Sequence, residues 1–151
     1  MINFKIILNV LGYLLVALSI LLIIPILIDL ISGNDSWKSF LISLIITFGF
    51  GVTFLLSTRN ELKNKILTQD AFLITTLSWI FISVFGALPF FFSDSSLSLT
   101  NSIFESMSGI TTTGSTIFNK VENLPQGILI WRSILQWVGG VGIIVLSLIH
   151  I

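Results

Sequence analysis

The sequence has no cysteine and few charged residues, and both shortages limit what the protein can be. Without cysteine, the chain of 151 residues forms no disulfide, no thiolate metal site and no cysteine nucleophile. Charged residues make up 9% of the chain, whereas about 25% is typical of a soluble domain. The formal net charge is zero, and no basic stretch with interleaved aromatic residues is present. We therefore expect no nucleic-acid partner.

Apolar residues make up 54% of the chain and are concentrated in long runs. Four of these runs approach the roughly 20 residues that cross a bilayer as a helix, namely residues 6–31, 40–57, 71–92 and 127–151. The first run is longer than the ~7–15 residues of a signal-peptide core, so we interpret it as a retained membrane helix, kinked at Pro25. The sequence therefore predicts an all-α integral membrane protein with the lipid bilayer as its partner.

The distribution of basic residues predicts how the chain is oriented. Basic residues precede the first run and cluster between the second and third runs: Lys5, Arg59, Lys63 and Lys65. The positive-inside rule then places the N-terminus in the cytoplasm and the segment 93–126 outside. We expect a multi-pass membrane protein with Trp37, Trp79 and Trp131 as candidate interfacial anchors, although Trp79 lies nearer the middle of its run and could pack inside instead.

A shorter helical pattern lies between the third and fourth runs. Ile103, Phe104, Met107 and Ile110 recur at helical spacing, and residues 100–110 would form a helix of roughly 16 Å, about half a bilayer. A helix of this length enters a membrane without crossing it. We predict a re-entrant pore helix that is followed by a pore loop.

The predicted pore loop is a run of hydroxyl side chains around one glycine, TTTGST at residues 111–116. In pore loops, backbone carbonyls replace the water around a cation. Gly114 can adopt backbone conformations closed to other residues, and threonine hydroxyls can hold a loop in shape. A helix that ends at the loop directs the negative end of its dipole at the ion. The spacing alone leaves a hydroxyl-rich external loop as the alternative.

Three stretches resemble motifs of Trk-type potassium transporters, in the same order and at the same spacing. LSW at 77–79 with FGALPF at 85–90 is similar to their first outer helix, and FESMSGITTTGST at 104–116 is similar to their first pore helix and filter. LPQGILIWRS at 124–133 and QWVGGVGIIVL at 136–146 resemble the start of their inner helix. Residues 1–60 resemble more loosely the extra N-terminal helix pair of the Trk branch, which related Ktr-type transporters generally lack.

The resemblance implies four helix–pore-loop–helix repeats, of which this chain holds one. Residues 1–60 would be the N-terminal transmembrane helix pair, and residues 61–151 the first repeat. The repeat would comprise an outer helix at 71–92, a pore helix at 100–110, the filter at 111–116 and an inner helix at 127–151. Because one repeat is present and its last residues differ from the expected ending, the chain looks truncated.

The resemblance also implies potassium uptake, with no cofactor beyond the potassium ion as substrate. The filter residues that would bind potassium through their carbonyls are Thr112, Thr113, Gly114 and Ser115. The residues that would support this filter are Thr111, Thr116, Glu105 and Arg132. A homodimer and a cytoplasmic nucleotide-binding regulatory subunit are the implied partners. The alternatives are a related sodium/potassium transporter and a non-conducting membrane fragment. We expect no enzyme, because the helices carry no aspartate pair and the only histidine is His150.

Several single residues have competing interpretations. Glu105 could support the cation electrostatically, or be a structural partner for a backbone amide or for Arg132; with Ser102 it also fits a capping box. Arg132 could bind lipid headgroups or hold the loop. Glycines in the last run are expected to allow close helix packing, namely Gly139, Gly140 and Gly142. Asp70 is expected to stabilise the start of the third helix.

Overall fold

A computed structural model describes residues 3–58, 68–93 and 97–150, with side chains described for 3–58, 69–93 and 97–142. Within these ranges the chain forms six α-helices and one short 3-10 turn, and no strand occurs there. The helices are α1 (Phe4–Leu21), α2 (Ile23–Ser32), α3 (Trp37–Thr58), α4 (Thr68–Phe92), α5 (Leu99–Ile110) and α6 (Gln126–His150), and the 3-10 turn is Val121–Asn123. The predicted all-α fold is confirmed.

Three stretches of the described chain are long and apolar enough to cross a membrane: Phe4–Ser32, Trp37–Thr58 and Gln69–Phe92. They correspond to the first three predicted spans. The fourth predicted span corresponds to α6, which runs for 25 residues. The basic cluster used for orientation, Arg59, Lys63 and Lys65, lies outside the described residues, as does the side chain of His150. The division of the chain at residue 60 stays a prediction.

The first span is divided at Leu22, three residues before Pro25. Proline lacks an N–H group, and its ring clashes with the carbonyl four residues earlier, which here belongs to Leu21. Helix α1 therefore ends at Leu21, and α2 begins at Ile23. Leu22 keeps right-handed helical angles, φ -65° and ψ -18°. The two helices thus follow each other directly, α2 continues to a left-handed cap at Gly33, φ 69°, and the kink at Pro25 stays a prediction.

The six helices pack as one bundle. Helix α1 lies against α3 and α4, α2 lies against α3 and α6, and α5 lies between α4 and α6. Glycines bring α1 and α3 close together: an ideal Cβ at Gly12 would lie 3.0 Å from the Leu55 side chain, and one at Gly51 would lie 2.9 Å from Val16. Such small residues favour helix association in lipid, where the hydrophobic effect does not drive helices together.

Trp131 is not an interfacial anchor, which corrects one expectation. Its side chain is fully buried, its Nε1 donates to the Gly86 carbonyl at 2.9 Å, and the Phe40 ring meets it edge-on with centroids 6.5 Å apart. A buried indole N–H needs an acceptor, and the Gly86 carbonyl of α4 supplies one. Trp131 therefore fixes α6 against α3 and α4 instead of facing lipid headgroups.

Asp70 lies in the first turn of α4, as predicted. Its buried carboxylate accepts a hydrogen bond from the backbone N–H of Asn3 at 3.0 Å, so it also joins the starts of α1 and α4. At the other end of the bundle, Lys38 donates to Asp35 at 2.7 Å in the turn between α2 and α3. This hydrogen bond and the lysine charge lower the pKa of Asp35.

Candidate functional site

Helix α5 begins one residue earlier than predicted and is capped outside the predicted capping box. Ser98 is the N-cap residue, and its side chain accepts from the Asn101 N–H at 3.2 Å. The capping box of Ser102 and Glu105 is therefore wrong, because both residues lie inside the helix. The Ser102 hydroxyl donates to the Ser98 carbonyl at 3.1 Å, and the Glu105 carboxylate is left for other partners. The 12 residues of α5 give a helix of about 18 Å.

The end of α5 has the hydrogen bonds of a Schellman motif, with threonine where glycine is usual. The Thr113 N–H donates to the Ser108 carbonyl at 3.1 Å, and the Thr112 N–H donates to the Gly109 carbonyl at 2.9 Å. Thr112 consequently adopts a left-handed conformation, φ 58°. This conformation costs a branched residue roughly 1–3 kcal/mol and persists only where the surroundings impose it. The predicted filter therefore contains a strained backbone.

Two residues of the loop, Thr112 and Gly114, have a left-handed backbone. Gly114 has φ 75°, and among the described residues only Thr112, Gly114 and Gly33 have positive φ. The N–H groups of Thr113 and Gly114 both donate to the Ser108 carbonyl, at 3.1 and 3.4 Å. The Ser108 carbonyl therefore holds the middle of the loop against the last turn of α5.

Five of the six loop carbonyls accept no hydrogen bond from the described residues: those of Thr111, Thr112, Thr113, Gly114 and Thr116. Every residue of 111–116 is exposed in this chain. Ser115 differs, because its carbonyl accepts from the Ser108 hydroxyl at 2.6 Å. Ser108 thus bonds to Thr113, Gly114 and Ser115, and the carbonyls of Thr112, Thr113 and Gly114 stay free of these bonds.

Glu105 ties the segment after the loop to α6. Its side chain is fully buried, and Oε1 accepts from Arg132 Nε at 2.6 Å. The Thr116 hydroxyl lies 3.0 Å from Oε1, and the Ile117 N–H donates to Oε2 at 3.0 Å. Both structural partners considered for Glu105, a backbone amide and Arg132, are therefore present. The carboxylate reaches Thr116 but forms no hydrogen bond with residues 112–114.

Helix α6 passes the loop at two consecutive glycines. An ideal Cβ at Gly139 would lie 1.8 Å from the Ile110 carbonyl oxygen, so no side chain fits there. At Gly140 the nearest atom is the Thr112 methyl, 3.9 Å away, while Gly142 has nothing within 4 Å among the described atoms. Close packing is thus found at Gly139 and ordinary contact at Gly140, while close packing at Gly142 stays a prediction.

Thr111 and Thr116 lie on the loop, Glu105 contacts it at Thr116, and Arg132 reaches it only through Glu105. Two further residues, Ser108 and Asp29, were not predicted from the sequence. Ser108 holds the loop, and Asp29 of α2 contacts the start of α6. Asp29 could have been recognised from the sequence, because an acidic side chain inside an apolar membrane run costs free energy and therefore marks a functional or structural contact.

Comparison with known proteins gives consistent matches over nearly the whole chain. Residues 36–151 match the sequence model of the family TrkH, described as cation transport protein. The chain is 41% identical to the Trk system potassium uptake protein TrkH of Halomonas elongata and 38% identical to that of Escherichia coli K12. Each alignment spans 146 residues, 96% of this chain and 30% of the relative.

A solved structure matches as well. The crystal structure of the potassium transporter TrkH from Vibrio parahaemolyticus superposes with a TM-score of 0.92 and 33% sequence identity. The match covers 99% of this chain and 32% of that chain. The chain thus spans about 30% of the length of the relatives that it matches.

Proposed function

Because this chain belongs to the TrkH family of cation transport proteins, we propose that it forms part of the ion-conducting subunit of a potassium uptake system. The observation that carries the proposal is that the carbonyls of Thr112, Thr113 and Gly114, just beyond the C-terminal end of α5, accept no hydrogen bond from the described residues. Carbonyl dipoles can replace the hydration shell of a potassium ion in a filter. In this proposal the three carbonyls coordinate dehydrated potassium, and Ser115 closes the loop through its bond to Ser108.

The surroundings of the loop favour a cation there. Helix α5 ends at Ile110, so the negative end of its dipole lies beside the loop. The fixed positive charge of Arg132 would repel a cation, but it is paired with Glu105 at 2.6 Å. Glu105 and Arg132 therefore act as positioning residues behind the loop, and Thr111 and Thr116 brace its two ends.

One loop supplies only part of a site that needs a ring of carbonyls from four loops. We therefore expect the remaining ligands to come from equivalent loops of the complete subunit, and we expect this chain by itself not to conduct. Liposomes that contain only these residues test this point. Robust rubidium uptake by them would contradict the expectation, unless four copies assemble.

The filter assignment is tested by Gly114→Ser in the complete subunit. Gly114 has φ 75°, where a side chain is strained by about 1–2 kcal/mol, so the loop must shift and discrimination against sodium should fall. The matched control is Gly49→Ser, because Gly49 lies in α3 and no atom of the described residues is within 4 Å of an ideal Cβ there. Rubidium and sodium uptake are measured in a host that lacks potassium uptake. If Gly114→Ser and the unmodified subunit are present in equal amounts in the membrane and exclude sodium equally well, the filter assignment is rejected. Equal uptake of rubidium and sodium by the unmodified subunit would favour the sodium/potassium alternative.

The resemblance to Trk-type transporters extends the proposal to the assembly. We propose a homodimer with a cytoplasmic nucleotide-binding regulatory subunit, in the plasma membrane, with the N-terminus in the cytoplasm. Co-purification from the native membrane tests the partners. The orientation is tested with membrane-impermeant thiol reagents, because this stretch has no cysteine of its own. A cysteine introduced at Asn34 should react from outside, and one introduced at Lys5 should not.

A further inference from the structure

Helix α2 holds the first turn of α6 through a buried carboxylate. The Gly127 N–H donates to Asp29 Oδ1 at 2.8 Å, although the two residues are 98 positions apart in sequence. Asp29 is fully buried, and no hydrogen bond from the described residues reaches its Oδ2. A carboxylate at a helix N-terminus satisfies a free N–H group and interacts favourably with the helix dipole. Asp29 therefore caps α6 from another helix.

The carboxylate also occupies the space where a side chain at position 127 would lie. An ideal Cβ at Gly127 would be 2.3 Å from Asp29 Oδ2 and 2.6 Å from Cγ. Glycine is thus required at this position as long as Asp29 keeps its place. The two residues form a matched pair that fixes both the axial position of α6 and its rotation about its own axis.

The start of α6 leads directly to the residues behind the loop. Arg132 follows Gly127 by five residues, about 7.5 Å along a helix. Its guanidinium meets Glu105, which in turn binds the Thr116 hydroxyl and the Ile117 N–H. Asp29 therefore contacts α6 about one and a half turns before Arg132, which in turn holds Glu105 beside the segment that follows the loop.

We propose that Asp29 is a positioning residue for the ion-coordinating loop: by capping α6 at Gly127, it sets the position from which Arg132 holds Glu105. The N-terminal helix pair then has a role in ion discrimination in addition to its role as membrane-embedded structure. This inference rests on the proposed function, because it takes the loop at 112–114 to be the site that discriminates between ions.

The test uses four changes in the complete subunit. Asp29→Ala removes the acceptor and should lower the ratio of rubidium to sodium uptake per inserted molecule by about fivefold, the effect of losing one helix cap. Asp29→Asn keeps an oxygen at the Oδ1 position and should stay within about twofold of the unmodified ratio. The matched control is Ser32→Ala, which removes an exposed hydrogen bond from the same α2–α6 contact, 2.7 Å to Gln126, and should change nothing. Gly127→Ala should lower the uptake ratio by about as much as Asp29→Ala does.

A double change separates positioning from general damage. Once Asp29→Ala has removed the carboxylate, the methyl group of Gly127→Ala has room, so the double variant should be less impaired than the two single effects combined. The proposal is overturned if Asp29→Ala lowers only the amount of inserted protein while the uptake ratio stays unchanged. The proposal is also overturned if Asp29→Asn lowers the uptake ratio as much as Asp29→Ala does, because the loss of the oxygen acceptor would then not explain the effect.

Hydrogen exchange gives a readout that does not depend on transport. In the purified complete subunit, Asp29→Ala should speed amide exchange in residues 127–131 and in residues 112–117, while Ser32→Ala should not. If the unmodified subunit takes up no potassium but the exchange pattern appears, the proposed function fails and the positioning of the loop stands. If the unmodified subunit transports potassium and Asp29→Ala alters neither exchange nor the uptake ratio, this inference alone fails.

Discussion

Replacing Glu105 by glutamine tests how the loop is held. The carboxylate uses its two oxygens for different donors: Oε1 accepts from Arg132 Nε at 2.6 Å, and Oε2 accepts from the Ile117 N–H at 3.0 Å. Glutamine has the same shape but only one accepting oxygen, since the other terminal atom is an NH₂ donor. In Glu105→Gln one of the two buried donors must therefore face another donor.

The expected size of the effect follows from burial. The Glu105 side chain is fully buried and that of Arg132 is 15% exposed, so solvent screens this pair weakly. One buried donor without an acceptor costs about 1–3 kcal/mol, which is the expected loss in the free energy of unfolding for Glu105→Gln. Glu105→Ala removes both acceptors and leaves the guanidinium unpaired, and breaking a buried ion pair in this way costs about 3–5 kcal/mol.

The assay is equilibrium unfolding of the complete subunit in mixed micelles, together with rubidium and sodium uptake in cells. Glu122→Gln is the control, because it makes the same chemical change at an exposed position in the 3-10 turn. A double-mutant cycle with Arg132→Gln isolates the pair. The claim that Glu105 and Arg132 interact is refuted if their single losses in the free energy of unfolding add within about 0.5 kcal/mol. It is also refuted if Glu105→Gln loses no more stability than Glu122→Gln.

Two further changes test the backbone around the loop. Thr112→Gly should raise the free energy of unfolding of the complete subunit by about 1 kcal/mol, because glycine relieves the left-handed strain at φ 58°; a loss of stability in the same unfolding assay would contradict this. Gly139→Ala should lower it by about 1–3 kcal/mol and weaken ion discrimination, because the new Cβ would lie 1.8 Å from the Ile110 carbonyl oxygen. Gly142→Ala, with open space at its Cβ, is the matched control and should stay within about 0.5 kcal/mol; equal effects at both glycines would argue against the predicted clash.

Local patterns in the sequence predicted the helices well. The long apolar runs predicted the long helices to within a few residues, and the pattern of residues 100–110 predicted the short helix α5. The first long helix is divided at Leu22, close to Pro25. These features depend on neighbours in the chain, because hydrogen bonds within a helix and the missing N–H of proline act over only a few residues. The filter roles of Thr112, Thr113, Gly114 and Ser115 remain predictions, although the structure shows which of their carbonyls are unoccupied.

The errors concern contacts between distant helices. Trp131 was expected at the membrane interface and is buried, because its environment depends on Gly86 and Phe40 of other helices. In a membrane span, faces toward lipid and faces toward protein are both apolar, so hydrophobic periodicity does not tell them apart. The capping box failed for a related reason: Glu105 found its partners across the fold, in Arg132 and Ile117, instead of at its own helix start.

The apolar runs, the short helical pattern and the TTTGST stretch were enough to predict a helical membrane protein with one half-length helix and a hydroxyl-rich loop around Gly114. The bonds from Ser108 and Glu105 that hold this loop, and the position of Asp29 in the side-chain space of Gly127, 98 positions away, are seen only in the packed fold. Neighbours in the chain set the hydrogen bonds within a helix, whereas a buried polar group bonds to whichever partner the packed helices bring within about 3 Å of it.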